Sequence, residues 1–340
     1  MPTSKRLNVA VVGATGMVGH EMLRILAQRR FPSARVRALA SERSKGLTIS
    51  YNGSSLEIEP LNEQAFKGVD VALFAASVDI ALMYGPLAVE AGSLVIDNSS
   101  AWRMKENVPL VVPEVNREDI RDNEGIIANP NCCAVPLTVV LHPLRQAVGI
   151  ERVLVSTYQS ASGAGRALVE ELEEQTKAIA GGKEPQVAAY PYQLAYNVVP
   201  GGWRPELGGY NEEEVKIVNE TRKILHMPEL RIVATCVRVP VPVGHGESVF
   251  VETGMKITAD EARTLLGSAP GVIVEDDPHA KIYPTPHHGA GQDEVYVGRI
   301  RNDSSSERGL ALWLVSDNLR KGAALNAVQI AEHALDMGVI

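Results

Sequence analysis

Between Leu7 and Ile96, apolar runs of strand length alternate with segments of helical period, and this alternation restricts the fold more than any other feature of the chain. Residues 7–12, 36–40, 69–74 and 94–96 read as strands. The segments through Leu23, Ile25 and Leu26 and over about 80–91 read as helices. Strands joined through helices run parallel, because only a long crossover returns the chain to the same end of the sheet. The expected architecture is α/β, with an N-terminal Rossmann-like, doubly wound sheet. In such sheets ligands sit at the carboxyl ends of the strands, so the loops there are the places to look for function.

The first of these loops is Gly13-Ala14-Thr15-Gly16-Met17-Val18-Gly19. Its G-x-x-G-x-x-G spacing varies on the usual dinucleotide fingerprint. Strand, glycine turn and helix together let backbone N–H groups approach a pyrophosphate at a helix N-terminus. The second loop is Ser41-Glu42-Arg43-Ser44-Lys45. An NAD site usually offers a carboxylate here to the ribose hydroxyls, whereas hydroxyls and a cation suit a 2′-phosphate. Ser41, Arg43 and Ser44 favour NADP, and the dissenting Glu42 is expected to point to solvent. After the strand at 94–96, Asp97-Asn98-Ser99-Ser100-Ala101-Trp102-Arg103 offers Arg103 as an anion clamp. Residues 109–116, bracketed by prolines, read as an edge or connecting strand.

A reactive thiol is expected in Ile126-Ile127-Ala128-Asn129-Pro130-Asn131-Cys132-Cys133-Ala134-Val135-Pro136. A buried strand meets the turn dipeptide Asn129-Pro130 and then an apolar helix, so Cys132 falls at or just before a helix N-terminus. Unpaired N–H groups and the helix dipole there stabilise a thiolate. Cys133 reads as a buried small hydrophobe. Pro136 suits a first helical turn, whereas Pro143 is expected to kink or end the helix.

Beyond this point the pattern changes. Residues 152–158 are strand-like and lead into the small-residue loop Gln159-Ser160-Ala161-Ser162-Gly163-Ala164-Gly165, then an amphipathic helix over about 167–180. Residues 182–209, rich in proline and glycine, read as an extended excursion suited to covering a partner subunit. Asn211-Glu212-Glu213-Glu214-Val215-Lys216 opens another helix, and its charges read as ordinary capping. Over 232–241, Ala234, Cys236 and Arg238 share one strand face, where an arginine is costly without a carboxylate from the protein or a ligand. His245 sits between Gly244 and Gly246 in an expected turn. Further strands at 248–253, 272–274, 295–300 and 310–315 belong to an antiparallel or mixed sheet of a second, α+β domain. Lys321-Gly322 and a last helix to about residue 335, expected to pack on the first domain, close the chain.

The chain has 340 residues, enough for two domains, with the boundary expected to divide 1–131 and 321–340 from 132–320. A net charge of −8 leaves no basic surplus for phosphate backbones, so nucleic acid is an unexpected partner. Three cysteines with no pair at metal-ligand spacing argue against a disulfide framework or a zinc site of the usual type, and no metal is expected. Met1 to Arg6 leads into a strand rather than a long apolar signal region, and no stretch has membrane-spanning length. The expected setting is the reducing cytoplasm, away from membranes.

These motifs, in this order, resemble the aspartate-β-semialdehyde dehydrogenase family across essentially the entire chain. The residues that carry the resemblance are Gly13 to Gly19, Asp97 to Arg103, Asn129 to Cys132, Tyr158 to Gly165, Glu213 to Lys216, Cys236 to His245, Gly298-Arg299-Ile300-Arg301, and Ser316 to Asn326. The resemblance implies reductive dephosphorylation of L-4-aspartyl phosphate to L-aspartate 4-semialdehyde with NADPH, on the route to lysine, threonine and methionine. It also implies an NADP domain completed by the last helix, and a homodimer, with pairing into tetramers left open. Cys132 would be the nucleophile, His245 the acid/base and Gln159 the residue orienting substrate. Arg238 would take the α-carboxylate and Glu213 the α-ammonium, with Arg103, Lys216 and Asn131 for phosphate. Gly13, Thr15, Gly16, Met17, Val18, Ser41, Arg43, Ser44, Ser162, Gly163, Asn318 and Gln329 would contact the cofactor. Two departures stand out: Cys133 replaces the family's usual serine or threonine, and Phe74-Ala75-Ala76-Ser77-Val78-Asp79 lacks the usual glycines. The rival readings are an N-acetylglutamyl-phosphate reductase-like enzyme and a noncatalytic paralogue that binds nucleotide or a partner. Glu213, which would be purposeless beside an acylated amine, speaks against the first. Retention of Cys132, Gln159, Arg238 and His245 speaks against the second.

Overall fold

A computed structural model describes residues 6–340, and the stretch Met1-Pro2-Thr3-Ser4-Lys5 lies outside the described residues. The chain divides into two compact units, Met1–Asn131 with Ala323–Ile340, and Cys132–Gly322.

The first unit runs β1 (Leu7–Val12), α1 (Met17–Gln28), β2 (Ser33–Ala40), β3 (Thr48–Tyr51), β4 (Ser54–Pro60), β5 (Val71–Phe74), α2 (Val78–Glu90), β6 (Leu94–Asp97), α3 (Pro113–Asn116) and β7 (Ile126–Ala128). Its seven strands lie in the order β3-β4-β2-β1-β5-β6-β7. All neighbours are parallel except the β3–β4 hairpin. The chain winds outward from β1 through β2 and β4, then crosses back to β5. The switch point therefore falls between β1 and β5, where the glycine turn after β1 lies. Buried Val9, Val11, Val71, Leu73 and Ile96 form the core with Leu23 and Ile25 of α1 and with Val328, Ile330 and Ala331 further along the chain. The β3–β4 hairpin was not expected; Asn52 (φ 50°) and Gly53 (φ 76°) turn it in the left-handed region that Asn-Gly adopts readily. The 109–116 strand needs correction. Only Leu110 makes a bridge, to Ala128, and Pro113 opens the short α3 because its fixed φ suits a first helical turn.

The second unit runs α4 (Ala134–Val148), β8 (Ile150–Gln159), α5 (Arg166–Ala180), α6 (Glu212–Ile224), β9 (Arg231–Arg238), β10 (His245–Thr253), α7 (Ala259–Gly267), β11 (Val272–Val274), α8 (Pro286–Gly289), β12 (Val295–Asn302) and β13 (Gly309–Ser316). Its six strands take the order β11-β12-β13-β10-β8-β9, mixed in direction. α4 crosses one face of this sheet, touching β8, β10, β12 and β13. That burial explains why Pro143 does not end α4: Val139, Val140, Leu141 and Leu144 are buried around it, and their packing offsets the roughly 3 kcal/mol cost of an interior proline. Residues 182–209 hold no strand or α-helix, and Tyr190, Leu194, Ala195 and Val199 fold back onto Leu168 and Leu172 of α5. A π-helical turn, Arg320–Ala324, precedes α9 (Leu325–Asp336), which packs on α1, β5 and β6 of the first unit. No helix among the described residues is long and apolar enough to cross a membrane.

Candidate active site

Cys132 lies immediately before α4, and Cys133 is that helix's N-cap residue. No acidic side chain occupies the first turn of α4, so the positive end of the helix dipole is left to favour an anion. Cys132 is half-buried and Cys133 fully buried. The Cys133 S–H aimed at Cys132 holds the Cys132 thiol well below its usual range against the opposing effect of burial, and the His245 imidazole adds to this. Burial and the neighbouring sulfur push the Cys133 thiol well up.

His245 is the first residue of β10, not part of a turn, and it is 1% exposed. The flanking glycines serve close packing instead. A Cβ on Gly246 would stand 2.6 Å from the Trp313 ring, and one on Gly244 2.4 Å from the Pro286 carbonyl oxygen. The His245 Nε2 lies 3.4 Å from Cys132 Sγ. The backbone N–H of Ser160 donates to Nδ1 at 3.0 Å, so Nδ1 carries the lone pair and the ring proton faces the sulfur. Ser160, which directly follows Gln159, was not among the candidate residues read from the sequence.

Strand register assembles the rest. His245 pairs with Ser316, Gly246 with Tyr158, and Gln159 with Arg238. One rung of the sheet therefore carries Ser316, His245, Gln159 and Arg238 on one face. Two residues along each strand, the next rung on that face carries Leu314, Glu247, Thr157 and Cys236. Thr157 Oγ1 donates to Gln159 Oε1 at 3.1 Å, and Gln159 Nε2 donates to Glu213 Oε1 at 3.0 Å, which fixes the amide's orientation. Glu213 is not a capping charge. Asn211 caps α6, and Glu214 completes the capping box and accepts from the Cys236 N–H at 3.0 Å, which leaves Glu213 buried. Lys216 Nζ lies 3.7 Å from Glu213.

Arg238 is 2% exposed and, among the described residues, makes no ion pair. Its Nη1 donates to the Ser160 carbonyl at 2.8 Å, its guanidinium carbon lies 4.8 Å from the Trp203 ring centre and 5.7 Å from that of Tyr190, and its Nε has no partner. A desolvated, caged guanidinium with an unused donor is suited to a ligand carboxylate. Tyr190 and Trp203 were also missed. Their signal was two large aromatics in an otherwise proline- and glycine-rich excursion. Glu247 was missed as well: it is 1% exposed, neither carboxylate oxygen has a hydrogen-bond partner, and burial raises its pKa well above the usual range.

Ser162 and Asn318 sit behind His245 in a closed network. Asn318 Oδ1 accepts from the Gly244 N–H at 2.9 Å and from the Ser160 and Ser162 hydroxyls at 3.1 Å each. Gly163 is constrained from the other side, because a Cβ there would lie 2.9 Å from Arg238 Nη1 and 3.2 Å from the His245 ring.

In the first unit, the turn after β1 fits a dinucleotide. Gly13 has φ +80°, and a Cβ on it would be 2.3 Å from the Ala75 carbonyl oxygen, while a Cβ on Gly19 would be 2.2 Å from the Gly13 oxygen. Gly16 is the N-cap of α1 and offers no capping side chain, so the first-turn N–H groups remain for an anion. Thr15, Met17 and Val18 are half-buried around it. At the end of β2, Ser41 and Arg43 are exposed and Ser44 half-buried, and Glu42 turns to solvent beside Lys45 at 3.1 Å. Arg103 is buried and donates to the Asn98 carbonyl at 2.8 Å; Asn131 is buried; Gln329 on α9 donates to Glu114 at 3.3 Å.

Two family models match the chain, "Semialdehyde dehydrogenase, NAD binding domain" over residues 8–123 and "Semialdehyde dehydrogenase, dimerisation domain" over 141–321. The aspartate-semialdehyde dehydrogenase of Aquifex aeolicus is 49% identical over 336 residues, 98% of this chain and 99% of that protein. The Bacillus subtilis protein of the same name is 45% identical over 98% of this chain and 99% of its own length. Among solved structures, aspartate semialdehyde dehydrogenase II of Vibrio cholerae complexed with ASA has a TM-score of 0.95 and 44% identity, covering 98% of this chain and 99% of that one.

Proposed function

Because the chain belongs to the aspartate-semialdehyde dehydrogenase family, NAD(P)-binding oxidoreductases of amino-acid biosynthesis, we propose that it converts L-4-aspartyl phosphate and NADPH to L-aspartate 4-semialdehyde, NADP and phosphate through a thioester on Cys132. The observation that carries this reading is the Cys132 sulfur 3.4 Å from a histidine whose other ring nitrogen accepts a backbone hydrogen bond. The Cys132 thiolate attacks the acyl carbon, the C–S bond forms, and the C–O bond to phosphate breaks. The nicotinamide cofactor supplies hydride to the thioester carbon when bound. His245 donates its Nε2 proton to the oxygen that gains charge, then takes a proton back as the thiohemiacetal collapses and the thiolate leaves. Arg238 grips the α-carboxylate, Glu213 the α-ammonium, Gln159 orients the substrate beside the Glu213 it bonds, and Lys216 meets the phosphate.

The test runs the reaction in reverse: phosphate-dependent reduction of NADP by aspartate semialdehyde. No reduction, or reduction that does not depend on phosphate, defeats the reading. An N-acetylglutamyl-phosphate reductase would instead act on the N-acylated homologue, and preference for that substrate is the outcome that favours the rival.

Ser41, Arg43 and Ser44, with Glu42 engaged by Lys45, support NADP over NAD. Arg43→Ala is expected to shrink the NADP:NAD ratio of kcat/KM by about tenfold or more, the worth of one charge-assisted hydrogen bond. Equal efficiency of the two cofactors in the wild type defeats this part. Gly163→Ala is expected to lower kcat/KM by roughly tenfold or more with the far-ultraviolet CD spectrum unchanged, since the added methyl must displace Arg238 or His245. Unaltered kinetics sink that assignment. Homodimers are proposed through the sheet face opposite α4, where Phe250 and Leu154 pair across strands and are 37% and 36% exposed. A thiolate nucleophile also suits a reducing cytoplasm.

A further inference from the structure

We propose that Cys132 and Cys133 form a peroxide-responsive pair, in which a hydroperoxide oxidises Cys132 and Cys133 captures it as a reversible disulfide between the adjacent residues. This goes beyond the dehydrogenase reading, and its main readouts are thiol counts and mass, so either can fail alone. Three observations carry it. The two sulfurs and the His245 ring nitrogen lie within 4.8 Å of one another. Cys132 keeps some exposed surface and Cys133 has none, so an oxidant from solvent reaches Cys132 first. Cys133 directly follows Cys132 and its sulfur belongs to the same cluster, so the second thiol already stands beside the atom it would attack. A thiolate-prone, accessible cysteine next to a second thiol is the arrangement in which a sulfenic acid condenses before it oxidises further.

The chemistry balances as follows. The Cys132 thiolate attacks one peroxide oxygen; an S–O bond forms, the O–O bond breaks, and the second oxygen leaves as water once protonated. Cys133 then loses its proton and attacks the Cys132 sulfur. The S–S bond forms, the S–O bond breaks, and the hydroxide leaves as water. His245 Nε2, 3.4 Å from the sulfur, is placed to protonate that leaving oxygen. In total two thiols give up two electrons and one hydrogen peroxide becomes two waters. Adjacent residues hold their Cα atoms about 3.8 Å apart, closer than the roughly 4.4–6.8 Å of ordinary disulfides, so the bond is strained and readily reduced. Cys236, buried on β9 with its thiol pKa pushed up, stays out of the exchange and serves as an internal control.

The experiment treats the full-length wild-type protein with hydrogen peroxide near equimolar amounts. Free thiols per chain are expected to fall from three to one, with the intact chain losing two hydrogens and gaining no oxygen, and dithiothreitol restoring the thiols. For Cys133→Ser the expected product carries added oxygen at Cys132. The fraction of its own starting activity that dithiothreitol restores should be about tenfold smaller than for the wild type. A wild-type chain that gains oxygen while Cys133 remains open to alkylation overturns the proposal. So does thiol loss through cross-linked chains, or equal recovery in the two proteins. If Cys133→Ser does not fold, the mass of the wild-type peptide holding both cysteines decides alone.

Discussion

Cys132→Ser is expected to lower kcat/KM for aspartate semialdehyde by a factor on the order of 10⁴, because an alkoxide of ordinary serine acidity is scarce at neutral pH and the acyl-enzyme route closes. Steady-state kinetics measure this directly; a variant within tenfold of the wild type would remove Cys132 from the mechanism. The same sulfur gives a second, independent signal in its response to pH. Its folded-state pKa is depressed, with the Cys133 S–H as the largest cause. The thiolate therefore persists as pH falls through the ordinary thiol range near 8.5 and is lost only at lower pH. Inactivation by iodoacetamide should accordingly stay fast below that range. A rate that drops about tenfold per pH unit from there downward would mean an unperturbed thiol.

Arg238→Lys is expected to cost about 10²- to 10³-fold in kcat/KM, mostly through KM, while thermal stability changes little, because the buried charge is kept. The two halves of that expectation share one origin. Arg238 is buried, caged by Trp203 and Tyr190, and bonded to a neutral carbonyl rather than to any carboxylate among the described residues. A charge held that way is a burden on the free protein that a substrate carboxylate relieves. Lysine keeps the charge but loses the planar, two-pronged donor set, so the bidentate grip and the stacking are lost together. The loss corresponds to about 3–4 kcal/mol of transition-state binding. Steady-state kinetics and a melting curve check it; unchanged KM, or a large fall in melting temperature, would make Arg238 a structural residue.

Local pattern revealed much of the fold. β1 was legible residue for residue, because a largely apolar run of six residues ahead of a glycine turn admits one reading. The Asn52-Gly53 hairpin carried a strong local signal that was passed over. Local rules were not final in two places: Pro143, expected to kink or end α4, does not end it because of packing against the sheet, and the glycines around His245 serve packing against Trp313 and Pro286. The candidate site residues could be named through resemblance, but their assembly could not be read. Nothing local aligns Gln159 with Arg238, or brings Cys132 to His245 from 113 positions away; strand register does the first and α4 lying on the sheet the second. Metal-ligand spacing has the same blind spot, since it cannot see that Cys132, Cys133 and His245 converge.

That register has a consequence for the chain before it is finished. The His245 ring, which adds to the acidity of the Cys132 sulfur, arrives only after β10 has paired with β8 and β13, contacts far apart along the polymer and slow to form. A nascent or unravelled molecule carries a commonplace, mostly protonated thiol that attacks little around it. Danger and usefulness switch on together, at the last stage of maturation, so folding itself acts as the safety catch on the reagent.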